Sequence, residues 1–262
     1  MGTPGQLRSA IPPLTITALH VGTLVDMPKP AIVFQHGWRE TIDIAMTMFV
    51  IEGGEHPMVV DTGTGDPEAT AAWHPGYQLR RPPDQEPQAQ LERIGIDPDS
   101  VRTVVNTHLH WDHCANNALF PNARIMVQAE ELRYAVAPAA VNRIAYEVRP
   151  GVTPSWLRGL DRMVPVHGET VVAPGVTLVP LPGHTPGSQG VLVEAPGARY
   201  LIAGDCIDTY ENWAGDSVVP HCPSGLFTDI LAYEQSFRDI EALDCEILPS
   251  HDLAVVAKER FG

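Results

Sequence analysis

The stretch Thr107-His108-Leu109-His110-Trp111-Asp112-His113-Cys114 places three imidazoles and a carboxylate within six residues, directly after the apolar run Val101 to Val105. An ordinary apolar core cannot absorb that density of polar groups, because each one buried without a partner is costly. The segment reads as a metal site at the end of a strand. In an extended segment side chains two apart face the same way, so His108 and His110 can grip one cation while Asp112 and His113, on the turn beyond, grip a second. Each cation of such a pair takes about four or five ligands. The fold must therefore bring roughly three further ligands to the end of this strand.

In chain order, Leu14 to Val25 and Ala31 to Gln35 read as strands separated by Met27-Pro28-Lys29-Pro30. Ile44 to Ile51 and Met58 to Asp61 flank Glu52-Gly53-Gly54-Glu55 as a hairpin. Asp61, at the end of its strand, is either a plain turn residue or a carboxylate that accepts a hydrogen bond from a ligating imidazole. Asp66 to Pro87 shows no period and reads as a long surface excursion, a candidate cover for a substrate. Gln88 to Ile94 suits a short helix, and Val101 to Asn106 is the strand that carries the histidines.

Arg124 to Val127 reads as a strand and Ala129 to Val136 as a helix, after which Ala137 to Pro165 again lacks a period, as a helical lid carrying Tyr146, Trp156 and Leu157 or as a linker. Thr170 to Val172, Val176 to Pro180, Gln189 to Glu194, Arg199 to Ala203 and Cys245 to Leu248 read as strands. Ile230 to Leu243 has helical spacing, and Ala254 to Phe261 reads as a terminal helix. His184, Asp205 and His251 each lie just beyond one of these strands, and together they close the ligand count, with Asp205 placed to bridge two cations.

The chain has 262 residues, 44% of them apolar, enough for one large domain over 1–262. With 17 Lys and Arg against 32 Asp and Glu, a formal charge of −15, the surface disfavours nucleic acid and anionic membranes. Met1 to Leu14 lacks the apolar stretch of a signal peptide and no later segment has the length to span a bilayer, so a soluble cytoplasmic protein is expected. Cys114, Cys206, Cys222 and Cys245 form no Cys-x-x-Cys pair and no disulfide framework. Cys114 and Cys206 adjoin presumed ligands, and either could bind metal or, as a small buried thiol, pack behind the site.

Asp61-Thr62-Gly63, His108-Leu109-His110-Trp111-Asp112-His113, Gly183-His184-Thr185-Pro186-Gly187, Gly204-Asp205 and Ser250-His251 resemble, in order and over most of the chain, the metallo-β-lactamase superfamily. The resemblance implies an αββα sandwich, an α/β fold of two mixed β-sheets flanked by helices. It implies His108, His110 and His184 on one metal, Asp112, His113 and His251 on the other, and Asp205 between them. Within the superfamily the chain is most similar to the N-acyl-homoserine lactonase group, whose members quench quorum signals. That likeness implies two divalent ions, zinc first with Mn2+, Fe2+ or Co2+ compatible, and a hydroxide between them attacking a lactone or related ester.

Asp112 and Asp205 are the expected catalytic carboxylates, and Trp111, Asp208 and Tyr210 the expected substrate contacts. One departure is visible. The related lactonases place a tyrosine three residues after the bridging aspartate, and here that residue is Asp208, which disfavours long-chain acyl-homoserine lactones as the preferred substrate. A glyoxalase-type thioester hydrolase is the nearest alternative, and an iron-dependent oxidoreductase on the same fold a more distant one. A homodimer stays open.

Overall fold

The computed structural model describes residues 13–262. The expectation that the chain opens without a signal peptide therefore falls, for residues 1–12, outside the described residues.

Strands β1 (Thr15–Pro28) and β2 (Thr41–Glu52) are rich in Val, Ile, Met and Thr, residues that suit a pleated and half-buried surface. They pair antiparallel from Thr15 opposite Glu52 to Pro28 opposite Thr41. The sheet continues through β3 (Met58–Val60), and β4 (Gln78–Arg80) pairs with β1. Beyond β3, the strands β5 (Thr103–Val105), β6 (Arg124–Gln128) and β7 (Met163–Val166) run parallel to one another. The second sheet is an antiparallel meander of β8 (Thr170–Ala173), β9 (Val176–Pro180), β10 (Gln189–Ala195) and β11 (Ala198–Ile202). Its last strand, β12 (Glu246–Leu248), runs parallel to β11, and β13 (Arg260–Phe261) returns to the first sheet beside β1.

Among the described residues seven α-helices connect these strands: α1 (Pro67–Trp73), α2 (Pro87–Arg93), α3 (Trp111–Cys114), α4 (Ala129–Val136), α5 (Tyr210–Ala214), α6 (Ile230–Leu243) and α7 (Leu253–Lys258). The sheets share one core in which Ile16, Phe49 and Val105 of the first meet Leu178, Val191 and Ile202 of the second. Helices cover the outer faces. On the second sheet Tyr233, Phe237 and Ile240 of α6, at helical spacing, pack on Val179, Leu192 and Leu201. Each such side chain contributes about 1.5–3 kcal/mol through burial, and Asp229 caps the helix by accepting from the amides of Leu231 and Ala232. The arrangement is the expected αββα sandwich.

The alternation of strands and helices was legible; four local expectations were not met. Asp66 to Pro87 is not a periodless surface excursion, since it holds α1 and β4, and β4 joins the first sheet beside β1. Ala31 to Gln35 is not a strand. A single 3-10 turn at Lys29–Ala31 replaces it, with the amides of Ile32 and Val33 returning to the carbonyl of Lys29. Pro28 and Pro30 remove the donors that a ladder needs, and Ile32 and Val33 bury their side chains from the turn instead. Ala254 to Phe261 is not one helix, because Glu259 takes a positive φ of 65° and releases Arg260 and Phe261 to pair with β1. Ala137 to Pro165 is a series of short 3-10 turns leading into β7, whose Pro165 is tolerated because β7 is an edge strand.

Topology also sets where function can sit. Val60 of β3 pairs with Val105 of β5, and Ile202 of β11 with Leu248 of β12, all in parallel or adjacent register. Asp61, Thr107 to His113, Asp205 and His251 follow these carboxyl ends in turn. Loops leaving the same edge of both sheets therefore converge.

Candidate metal centre

Two sets of donors face each other across Asp205. His108, His110, His184 and Asp205 have donor atoms within 4.8 Å of one another, and so do Asp112, His113 and His251. One carboxylate oxygen of Asp205, Oδ1, lies 3.2 Å from His113 Nε2 and 3.1 Å from His251 Nε2. The other, Oδ2, lies 3.4 Å from His184 Nε2 and 3.7 Å from His108 Nε2. Asp112 Oδ2 stands 3.8 Å from His113 Nε2 and 4.0 Å from His251 Nε2. The carboxylate is thus divided between two groups of imidazoles.

The outer nitrogens are already committed. His113 Nδ1 is 2.8 Å from Asp61 Oδ2, His184 Nδ1 is 2.7 Å from the carbonyl of Leu226, and His251 Nδ1 is 2.8 Å from the carbonyl of Ala45. Each bond fixes which nitrogen carries the proton and turns the other inward. The inward Nε2 atoms of His108 and His113 are buried without a hydrogen-bond partner, and His184 Nε2 meets His110 Nδ1 at 3.1 Å. Buried polar groups are seldom left unpaired, and a metal ion is the partner that this donor set fits.

Electrostatics separate the two sets. Burial and the neighbouring imidazoles hold His108 and His110 well below the usual histidine range, and burial holds His184 below it, so all three resist protonation. Burial also opposes a proton on His113, but Asp205, Asp61 and Asp112 together override it and lift His113 well above that range. His251 is raised to about 9, burial again being outweighed, here chiefly by Asp205. Burial works against charge on Asp205, yet His113, His251, His108 and His184 keep it ionised far below the usual carboxylate range. The half of the site that traps protons between carboxylates is the half where positive charge is wanted.

Buried side chains outside the donor sets hold the loops. Asp61, at a φ of 55°, accepts from the amide (2.8 Å) and hydroxyl (2.7 Å) of Thr107 as well as from His113. Glu131 of α4 is fully buried and accepts from the Leu109 amide (2.9 Å), the Tyr146 hydroxyl (2.7 Å) and the Thr185 hydroxyl (2.6 Å). It ties the His108–His113 loop to the His184 loop. Gly187 permits this contact, since a Cβ there would lie 2.1 Å from the Glu131 backbone nitrogen. Ser250 donates to Asp205 Oδ1 at 2.8 Å, and the Tyr233 hydroxyl donates to the Asp205 carbonyl. A lone Glu, Ser or Tyr on an ordinary helix or turn carries no local signal of such a role.

The remaining sequence candidates divide. Trp111 is buried, stacks on His74 with ring centroids 4.0 Å apart, and lines a cavity of about 250 Å³ over the metal-facing atoms. Asp208 lines the same cavity, whose apolar wall includes Leu24, Met27, Ile32 and Ile44. Tyr210 does not: it lies on the outside of α5, 39% exposed, with its amide held by Asp252. Tyr146 and Trp156 are buried beneath the site rather than displayed on a lid, whereas Val141 and Ile144 of that stretch stand at the cavity. Among the described residues neither Cys114 nor Cys206 joins a donor set. Burial pushes both thiols up, and Cys114 instead donates to the carbonyl of His110 at 3.1 Å.

Residues 46–251 match the family described as the metallo-beta-lactamase superfamily. The chain belongs to that superfamily. Among metallo-beta-lactamase relatives, it is 28% identical over 187 residues to an N-acyl homoserine lactonase of a Bacillus species, covering 68% of this chain and 70% of the relative. It is 32% identical over 171 residues to the N-acyl homoserine lactonase AttM of Azorhizobium caulinodans, 63% of each chain. These matches span about two thirds of the relatives' own length. A solved N-acyl homoserine lactone hydrolase with N-hexanoyl-L-homoserine at its catalytic metal center superposes with a TM-score of 0.74 at 21% identity, covering 93% of this chain and 95% of that one. AidC, a dizinc quorum-quenching lactonase, gives a TM-score of 0.67 at 15% identity over 94% and 90%. At these identities the superpositions speak for the metallo-beta-lactamase fold.

Proposed function

We propose that this chain is a single-domain, cytoplasmic, metal-dependent hydrolase that opens lactones and cleaves related carboxylic esters. The observation that carries the reading is the division of Asp205 between two imidazole sets, each with at least one inward nitrogen that has no hydrogen-bond partner. His108, His110 and His184 would hold one ion, Asp112, His113 and His251 the other, with Asp205 shared. The names of the relatives support a lactone as the ring that is opened. Zinc suits the His-rich set, and Mn2+, Fe2+ and Co2+ are compatible with it.

Two such ions, when bound, would polarise a carbonyl and lower the pKa of a water. The chain's own residues do the rest. Asp61 holds His113 in one tautomer, and Glu131 keeps the two ligand loops in register. Asp112 is the most exposed carboxylate of the set, with 15% of its side chain accessible against 8% for Asp205, and can carry a proton to the departing alkoxide. The apolar wall seats the hydrocarbon of the substrate against Trp111 and keeps bulk water from the reacting carbonyl.

Steady-state kinetics on acyl-homoserine lactones, simple γ- and δ-lactones, aryl esters and a glutathione thioester test the proposal. Lactones should give the highest kcat/KM, with simple lactones ahead of long-chain acyl-homoserine lactones because Asp208 puts a carboxylate into the cavity that receives the substrate. Chelation should abolish turnover. A preference for the thioester, or no hydrolysis by the two-metal form, would refute the reading.

A further inference from the structure

We propose that Asp208 is a further ligand of the cation on the His251 side of the site, giving that position three carboxylates, Asp112, Asp205 and Asp208, where the other has Asp205 alone. The proposal rests on the dinuclear reading above and adds a ligand that the seven-residue set does not contain.

The placement is built, not incidental. The His251 amide donates to the Asp208 carbonyl at 2.8 Å, and the Ser250 amide donates to the Ile207 carbonyl at 3.3 Å, so the loops after β11 and β12 are zipped together. Asp208 is thereby fixed beside His251, and donor atoms of Asp205, Asp208 and His251 fall within 4.8 Å of one another. A cation bonding at about 2.0–2.2 Å can gather atoms so spaced with small side-chain adjustment. Asp208 is 2% exposed, and its Oδ1 has no hydrogen-bond partner. Asp208 lines the same cavity as His110, His184 and His251.

Charge points the same way. Two divalent cations bring four positive charges into a buried pocket to which Asp112 and Asp205 contribute two negative ones, and a third carboxylate reduces the uncompensated charge. An oxygen-rich second position also suits harder ions, so Mn2+ should feel the loss of Asp208 more than Zn2+ does.

The test is metal binding, independent of turnover. The metal-stripped full chain and the variants Asp208→Asn and Asp208→Ala are titrated with Zn2+ and with Mn2+ by calorimetry, and ion content is measured after dialysis. Circular dichroism confirms that each variant is folded. Outer-shell groups typically contribute 10–100-fold in affinity, and a direct ligand should do at least as much. We expect one of the two sites to weaken about 10–100-fold or more in both variants, most for Mn2+, while the other site is unchanged. The competing state is a neutral, protonated Asp208 that serves only packing. Asn would reproduce that state, so wild-type affinity at both sites in Asp208→Asn would overturn the assignment. If wild type binds two ions and Asp208→Ala loses one, but no lactone is opened, the ligand assignment stands and the proposed substrate falls. If wild type itself binds no second ion, both readings fall together.

Discussion

The cavity above the metal centre and a larger one nearby both bring histidines against carboxylates. The larger, about 700 Å³, is lined by His36, Asp216, His221, Cys222 and Glu241. There each imidazole spends both nitrogens: His36 on the Phe34 carbonyl (2.8 Å) and Asp216 (3.0 Å), His221 on the Trp213 carbonyl (2.6 Å) and Glu241 (3.1 Å). Cys222 donates to the Phe34 carbonyl at 3.3 Å, and burial with the charge of Asp216 pushes its thiol up to about 11. No lone pair is left to recruit an ion. At the metal centre under the smaller cavity, about 250 Å³, the Nε2 atoms of His108, His110 and His113 have no hydrogen-bond partner. Size does not mark the chemistry here; unsatisfied donors do.

The strongest way to break this contrast is Asp205→Asn, which removes the charge shared by both sets. Ion content and lactone turnover should fall together, turnover by at least about 10²–10³-fold, the cost of losing one preorganised electrostatic group. Elemental analysis with parallel kinetics checks it, and retention of two ions would show that Asp205 does not bridge.

Glu131→Ala asks how much of the site depends on its scaffold. Three buried donors would lose their acceptor, so the chain should lose roughly 2–5 kcal/mol of stability, read by denaturant unfolding. A loss under about 0.5 kcal/mol would mean that the loops are held by other contacts.

A third measurement uses pH. In the metal-free chain His251 is raised to about 9 and His113 also stands high. Their stabilisation is complete below the unfolded imidazole value of about 6.5 and is lost as pH rises through the folded value. His108, His110 and His184, held low, act instead below about pH 6.5. The metal-free Tm should therefore drop by several degrees between about pH 6.5 and 9.5, and the two-metal form, whose imidazoles give up their protons to bind, should be flatter. Equal slopes for the two forms would contradict this.

The smallest effect is expected in the larger cavity. His36→Gln should leave ion content unchanged, turnover within about twofold and stability within ~0.5 kcal/mol, as for a partly exposed residue outside the site. A lost ion in that variant would erase the distinction between the cavities.

The sequence carried the site where its information was local. Three histidines and an aspartate within one turn of a β-branched strand announce themselves, and His184, Asp205 and His251 could be added because each follows a strand. Glu131, Ser250 and Tyr233 act across 15 to 54 residues of chain, and nothing beside them signals the partner. Local pattern failed in the same way for Ala31 to Gln35, where an apolar run flanked by prolines buries itself from a turn. It also failed for Met163 to Val166, which becomes a strand only because β6 offers an edge. Tyr210 misled because proximity in sequence to Asp205 was taken for proximity in space, and the turn into α5 carries it outward.

Two of the five imidazoles, His184 and His251, are aimed by main-chain oxygens of Leu226 and Ala45. A point mutation can change either side chain without deleting its carbonyl. The aim of those histidines is thus insulated from drift in the residues that supply it, and the cavity wall can diversify while the donors hold still. His113 has no such insurance, since its partner is the Asp61 side chain. Mutational fragility of the centre is concentrated at that aspartate, and a lineage exploring new substrates through the wall would be expected to vary almost everywhere before it varied there.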